Sequence, residues 1–408
     1  LVVIFLTVFI DLLGFGIVLP LLPIYAEQFA EGYTNLLVGL LMASFSAMQF
    51  VCAPLWGRLS DRIGRRPVLM AGLAGSVVCY TLFGVATASR SLWLLFVSRI
   101  GAGMAGATIP TAQAYIADTT TLEGRARGMA LIGAAFGLGF TLGPLVGYLA
   151  VPWGSGEPGP WPGYAAAMLS AAALLLAAVE LPESLRPAEA ACASHRTGLA
   201  GLRSALSIPS MGWLLAAVFV SVFAFANFEA TISRLIKAEA GPFRFSFQQV
   251  CLTFAFIGLV LSLVQGGLVR PLSRRVPEGA LASWGTVVEA GGFLLLGWGG
   301  EAGSRTALFG GLAAVVTGFA MITPSLNSLI SRRSDPGEQG GVLGVAQSIS
   351  SLARILGPVA GNVLYGRSRT LPLWTAGCLT VLLLLMVVAA ARGGKDYVPA
   401  TGEALRST

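Results

Sequence analysis

The chain has 408 residues, 55% of them hydrophobic and only 11% charged, with a mean hydropathy of +0.78 and a formal net charge of +7. That is too apolar for a water-soluble fold, whose polar surface has to cover its core. The single histidine, His195, lies in a polar loop, and the five cysteines (Cys52, Cys79, Cys192, Cys251 and Cys378) lack metal-ligand and C-x-x-C spacing, so neither a histidine metal cluster nor a Ser-His-Asp site nor any other metal site is expected.

A hydrocarbon core about 30 Å thick needs roughly 20 apolar residues per helix, and a helix satisfies its own backbone in lipid. The apolar runs predict an all-α polytopic membrane protein with twelve transmembrane spans at 1–25, 36–57, 68–88, 92–116, 127–150, 161–181, 211–233, 247–269, 280–300, 305–330, 340–366 and 371–391. The first run is too long for the apolar part of a cleaved signal peptide and carries Asp11 at its centre, so it is expected to be a true span, entered partway.

In chain order, Asp11 is the first charge inside a span. A charge at mid-bilayer costs at least about 3 kcal/mol on insertion scales. Asp11 is therefore either a proton-exchanging or substrate-contacting carboxyl or a structural hydrogen-bond acceptor. Gln49 follows in the second span, and five of the eleven residues of the connection Gly57–Pro67 (Gly57-Arg58-Leu59-Ser60-Asp61-Arg62-Ile63-Gly64-Arg65-Arg66-Pro67) are charged. Arg99 opens Arg99-Ile100-Gly101-Ala102-Gly103-Met104-Ala105-Gly106 in the fourth span, whose small residues allow close helix approach. The fifth span carries Gly137, Gly139, Gly143, Pro144 and Gly147, which permit a bend or tight packing at Gly139, Gly143, Pro144 and Gly147.

Pro182 ends the sixth span, and the polar connector Pro182–Ser210 divides the chain into expected bundles at 1–181 and 211–392, with a linker at 182–210 and a tail at 393–408. In the second half the intramembrane charges are Glu229, Glu289 and Arg354, with Asn327 and Gln347 as polar amides. Glu229 and Glu289 are candidates for a coupling proton. Arg354 keeps its charge, so it needs a carboxylate, carbonyls, water or an anionic substrate. Gly266-Gly267-Leu268-Val269-Arg270-Pro271-Leu272-Ser273-Arg274-Arg275 after the eighth span repeats the connection after the second, with Arg270 in the acidic place, as expected of two homologous halves. Seventeen Lys and Arg fall on the side of the termini and seven on the other, which makes the terminal side cytoplasmic. The +7 charge then reads as topology and attraction to anionic lipid, with no nucleic-acid partner.

Gly57–Pro67 resembles the loop between helices 2 and 3 of the major facilitator superfamily, G-x-L-x-D-R-x-G-R-R-x. The likeness is closest to the tetracycline-resistance type of drug:proton antiporter and its animal tetracycline-transporter-like relatives, and it includes Asp11–Pro23, Ala117–Thr120, Leu181–Ser184 and the stretch ending at Gly357-Pro358. It implies two pseudo-symmetric six-helix bundles. It implies a proton-transfer role for Arg99, and it puts Asp11 and Glu289 where tetracycline exporters carry essential carboxylates. Cys79 stands where those exporters carry a third carboxylate. Glu229 and Arg354 look like features of the animal relatives, for which organic-anion transport is implied. Gly137–Gly147 resembles the antiporter signature G-x-x-x-G-P-x-x-G-G, departing from it at Ala130 and Tyr148.

The expected function is proton-coupled export of amphipathic drugs or organic anions by antiport and alternating access, with no enzyme activity, no cofactor beyond the proton gradient, and a monomer in the bacterial inner membrane. Symport of an organic anion is the alternative within transport, and a non-transporting receptor or lipid-interacting scaffold the alternative outside it. Asp11, Glu289, Glu229 and Arg99 are expected to couple protons. Substrate is expected between Asp11, Gln49, Glu289, Asn327, Gln347 and Arg354. Gly57, Asp61, Arg62, Gly64, Arg65, Arg66 and Asp118 are expected to form a latch. In it Asp61 docks at the start of the eleventh helix near Gly340-Gly341, and Arg62, Arg65 or Arg66 pairs with Asp118.

Overall fold

A computed structural model describes residues 2–29, 35–120, 122–151, 159–184, 203, 205–239, 241–273, 275–335 and 339–394, without the side chains of 122–133, 136, 339 and 340. His195, Cys192, most of the 182–210 linker, the tail beyond Gly394, and the side chains of Arg125, Arg127, Arg186, Arg196, Arg274, Lys395 and Arg406 lie outside the described residues.

Fourteen helices account for the spans: α1 Val2–Val18, α2 Leu22–Phe29, α3 Asn35–Ile63, α4 Arg65–Ala88, α5 Leu92–Ala105, α6 Ile109–Thr119, α7 Leu122–Ala150, α8 Trp161–Glu180, α9 Met211–Lys237, α10 Phe247–Leu263, α11 Glu278–Ala302, α12 Arg305–Arg333, α13 Gln339–Tyr365 and α14 Leu371–Gly393. Joining α1 to α2, α5 to α6, and α10 to its continuation through Leu272, eleven of the resulting helices are long and apolar enough to cross a membrane; the twelfth, α7, has 29 residues with an apolar stretch at Gly137–Ala150. The chain is a multi-pass membrane protein of the expected all-α class.

Both interrupted spans break at proline. The turn Leu19-Pro20-Leu21 separates α1 from α2, and Gly106-Ala107-Thr108 separates α5 from α6 just before Pro110. Proline offers no N–H to the carbonyl four residues back, which for Pro110 is that of Gly106. The Gln49 side chain donates to this carbonyl at 3.1 Å, and Trp56 donates to the neighbouring Met104 carbonyl at 2.6 Å. α10 leaves α-geometry differently, through a π-helical turn at Val264–Val269.

Packing repeats between the halves. α1 lies on α7 and α8, as α9 lies on α13 and α14. α4 packs on α5 and α8, as α11 packs on α12 and α14. The halves meet through α3 on α13 and α7 on α10. These seams use small residues: a Cβ on Gly39 would lie 2.8 Å from the Val359 Cα, and one on Gly258 would lie 2.6 Å from the Phe140 carbonyl oxygen. Ser262 of α10 donates to the Gly137 carbonyl at 3.2 Å and lies 3.2 Å from the Thr141 hydroxyl. In α7, Gly139 and Gly143 press on Leu12 and Gly16 of α1 and Gly147 lies beside Ile17, while the helix runs unbroken through Pro144. This glycine run is a close-packing surface.

The eleven-residue turn expected at Gly57–Pro67 contracts to one residue. α3 continues to Ile63 and α4 starts at Arg65, leaving Gly64 at φ 107° and ψ 158°. That backbone region is costly for a residue with a Cβ, and the Glu183 carboxylate occupies the place a Cβ would take. We call the face carrying Gly64 the inner face.

Candidate functional site

Five helices of one half, among them α2 through Leu22, and two of the other enclose a cavity at their seam, with about 480 Å³ of free space, part of it open to solvent. Phe15 and Leu19 come from α1 and the turn after it, Met42, Phe45 and Ser46 from α3, Arg99 from α5, and Phe140 from α7. Ala226, Glu229 and Ala230 come from α9, and Arg354 and Pro358 from α13. The aromatic residues form one cluster, with ring centroids 4.9 Å apart for Phe15 and Phe45 and 5.8 Å apart for Phe15 and Phe140.

Three charges line this space. Arg354 is exposed, Glu229 is half-buried, and the two lie within electrostatic reach of each other. Arg99 is 2% exposed; its guanidinium carbon lies 4.6 Å from the centre of the Phe45 ring and 5.8 Å from that of Phe15. Its Nε and Nη1 have no hydrogen-bond partner among the described residues.

The other expected site residues lie elsewhere. Asp11 is not on the cavity. It borders a small pocket of the first half with Thr7, Leu69, Leu73, Thr108, Ile109 and Ala112, where the Ser170 hydroxyl reaches its Oδ1 at 3.5 Å. Glu289 is fully buried between α11 and α12, its side chain pressed on Gly318 and both carboxyl oxygens unpartnered among the described residues. Gln49 is engaged as the partner of the Gly106 carbonyl, a strut for the break in the fourth span. Asn327 and Gln347 are exposed on α12 and α13 and do not line the cavity. The expected substrate set of Asp11, Gln49, Glu289, Asn327, Gln347 and Arg354 is therefore not assembled. Of it only Arg354 reaches the cavity, joined by Arg99 and Glu229, which were expected to serve protons. Helical pattern alone does not fix which face of a wholly apolar helix turns inward.

The latch residues form a network within one half. Arg65, 7% exposed, pairs with Asp61 and donates from Nε to Asp118 Oδ2 at 3.1 Å and from Nη1 to the Ser60 hydroxyl at 2.7 Å. Arg66 donates to the Ala178 carbonyl at 2.5 Å, and Arg62 is exposed. Glu183, read in the sequence only as part of a helix exit, accepts the backbone N–H groups of Arg65 at 2.8 Å and Arg66 at 3.1 Å, capping α4. Asp61 is engaged by Arg65 here, and a side chain added at Gly341 or Gly344 of α13 would meet nothing within 4 Å.

The outer ends are joined, by a residue sequence reasoning left in a loop count. Arg234, at the end of α9 and 4% exposed, donates to Glu27 of α2 at 3.2 Å from both Nε and Nη2, to Asn35 of α3 at 2.8 Å and to Asn362 of α13 at 2.7 Å. Its guanidinium carbon lies 4.3 Å from the centre of the Tyr365 ring. The signal for it was Arg234 and Glu27 at the outer ends of matching spans in the two halves.

The Major Facilitator Superfamily matches residues 4–358. The chain is 31% identical to the tetracycline resistance protein, class C, of Escherichia coli, covering 97% of this chain and 96% of that protein. It is 32% identical to major facilitator superfamily domain-containing protein 10 of Homo sapiens over 92% of this chain and 87% of that protein. The crystal structure of the human organic anion transporter MFSD10 superposes with a TM-score of 0.69 at 29% identity, covering 95% of this chain and 98% of that one. These are transporters and not enzymes; the chain belongs to the major facilitator superfamily.

Proposed function

We propose that the protein is a proton-coupled carrier that exports amphipathic organic anions by alternating access. The observation that carries this reading is the cavity between the halves, where Arg99 and Arg354 face a single carboxylate, Glu229, amid Phe15, Phe45 and Phe140. Two fixed cations against one fixed anion, in a space with aromatic walls, favour an anion with an apolar body. The human relative's name, an organic anion transporter, supports this class, and the absence of a carboxylate at Cys79 speaks against metal-tetracycline.

Alternating access is supported by two halves of matching packing that are joined at the outer face through Arg234. The two halves are the bundles 1–181 and 211–392, joined by the 182–210 linker, and the tail 393–408 follows. Both termini face the cytoplasm of a bacterial inner membrane, and the carrier works as a monomer. When the outer face opens, Asp61 exchanges Arg65 for the start of α13 and latches the inner face. Protons are carried by Asp11, in its own pocket, with Glu289 and Glu229 contributing. Separation of Asp11 from the substrate cavity fits exchange, because proton and substrate then communicate through conformation. The glycine-rich α7 supports the same direction.

A second reading, symport, is favoured by the electrostatic proximity of Glu229 and Arg354. A proton on Glu229 would leave Arg354 without that offsetting charge and free for the substrate, and anion and proton would then bind together. Reconstituted vesicles in weak buffer decide between them. Adding substrate outside acidifies the external medium under antiport and alkalinises it under symport. Saturable substrate flux with no pH change in either direction would sink proton coupling.

A further inference from the structure

Arg99 is buried where no described residue answers its charge. Its electrostatic neighbours are Cys79 and Tyr80, neither of them a carboxylate. Phe45 and Phe15 lie against its guanidinium and supply no oxygen or nitrogen acceptor to its N–H groups. Among the described residues Nε and Nη1 are both without an acceptor, although the group lines the cavity between the halves. An arginine in this condition is costly unless an acceptor arrives. Across the cavity Arg354 has Glu229 within electrostatic reach, whereas no carboxylate acts on Arg99. The acceptor that fits is planar, because a carboxylate engages guanidinium donors in their own plane. The aromatic rings beside it, Phe15, Phe45 and Phe140, offer edges and faces to a flat body.

We propose that Arg99 is the anion-docking residue of the cavity and takes the carboxylate of a planar aromatic monocarboxylic acid, whose rings lie against Phe15, Phe45 and Phe140. This rests on the reading of the cavity as the transport site. It gives Arg99 a substrate-binding role in place of the proton-transfer role implied by its motif, and it leaves Arg354 as a residue whose charge is balanced when the acid is a monoanion.

The test uses the full chain in lipid nanodiscs, with 2-naphthoate and its uncharged isostere 2-naphthamide as probes, read by calorimetric titration and by thermal unfolding. The wild type is expected to bind the acid at least about tenfold more tightly than the amide, the range expected for a charge-assisted hydrogen bond. Arg99→Gln is expected to lose that preference while keeping the amide affinity, and its unliganded melting temperature should stay equal or rise, because a charge without a partner has been removed. Arg354→Gln should weaken the acid less than Arg99→Gln does. An Arg99→Gln protein that binds the acid as the wild type does, or that loses acid and amide alike, overturns the proposal. If Arg99→Gln does not fold, Arg99→Lys takes its place: it keeps the charge without the planar donors, and unchanged acid affinity there overturns the proposal, whereas a loss confined to the acid supports it. Acid binding lost only in Arg354→Gln overturns the Arg99 assignment and leaves the organic-anion carrier standing. A wild type that prefers the amide overturns both.

Discussion

Arg234 is where the two halves are fastened at the outer face, and the strength of that fastening can be worked from its contacts. Asn362 and Tyr365 belong to the same half as Arg234 and move with it, so their contacts persist when the outer face opens. Opening breaks only the bonds to Glu27 and Asn35. Glu27 is 51% exposed, which limits its pairing to about 0.5–1 kcal/mol. The bond to Asn35 from a buried guanidinium contributes about 1.5 kcal/mol. Arg234→Gln therefore weakens the outer closure by about 2 kcal/mol and raises the outward-open to inward-open ratio roughly thirtyfold. Glu27→Gln removes only the exposed pair and gives a shift of about threefold. Electron–electron distance spectroscopy reads this directly, with spin labels at Ser89 and Arg367, both exposed near the outer face on opposite halves, in a background free of native cysteines. An Arg234→Gln distance distribution that matches the parent would refute the reasoning, as would a larger shift for Glu27→Gln than for Arg234→Gln.

Other predictions follow from the packing. Gly143→Ala places a Cβ 2.7 Å from the Gly16 Cα and 2.9 Å from the Leu13 carbonyl oxygen, so α1 and α7 must separate; a loss of about 1–3 kcal/mol is expected in thermal unfolding. Gly57→Ala, where nothing lies within 4 Å inside a helix, should gain about 0.5–1 kcal/mol in the same measurement. Glu183→Ala removes the acceptor for two N–H groups at the start of α4 and should lower stability by about 1 kcal/mol. Asp11→Asn and Glu289→Gln lie outside the cavity and should leave titrated 2-naphthoate affinity within about twofold of wild type while abolishing proton-driven flux; a tenfold affinity loss in either would place that carboxyl at the substrate.

What was legible in the sequence followed from length and hydropathy. Spans could be placed because each must cross the same hydrocarbon thickness, and the structure moves their ends by only a few residues, as where α9 runs on to Lys237. The one-residue turn at Gly64 was hidden because charge density in Gly57–Pro67 looks like a loop, whereas the charges project from helix ends, where Asp118 holds the Arg65 side chain and Glu183 accepts the backbone N–H groups of Arg65 and Arg66. Arg65 as the partner of Asp118 was within reach of the pattern. The cavity was less legible. Asp11, Glu289 and Gln49 were polar residues in apolar helices, which marks them as engaged but not with what. Gln49 answers a carbonyl released by Pro110, sixty-one positions along the chain, and no local pattern carries that pairing. Glu229 and Arg354 meet only because α9 packs on α13.

The most direct test of the carrier is counterflow. Vesicles containing the reconstituted protein are loaded with unlabelled 2-naphthoate and diluted into a trace of labelled 2-naphthoate at equal pH on both sides. The account predicts a transient accumulation of label above equilibrium that saturates with concentration, and its loss when Arg99 and Arg354 are both replaced by Gln. Label that only equilibrates in the wild type, at the rate of protein-free vesicles, would contradict the assignment of this cavity to organic-anion transport.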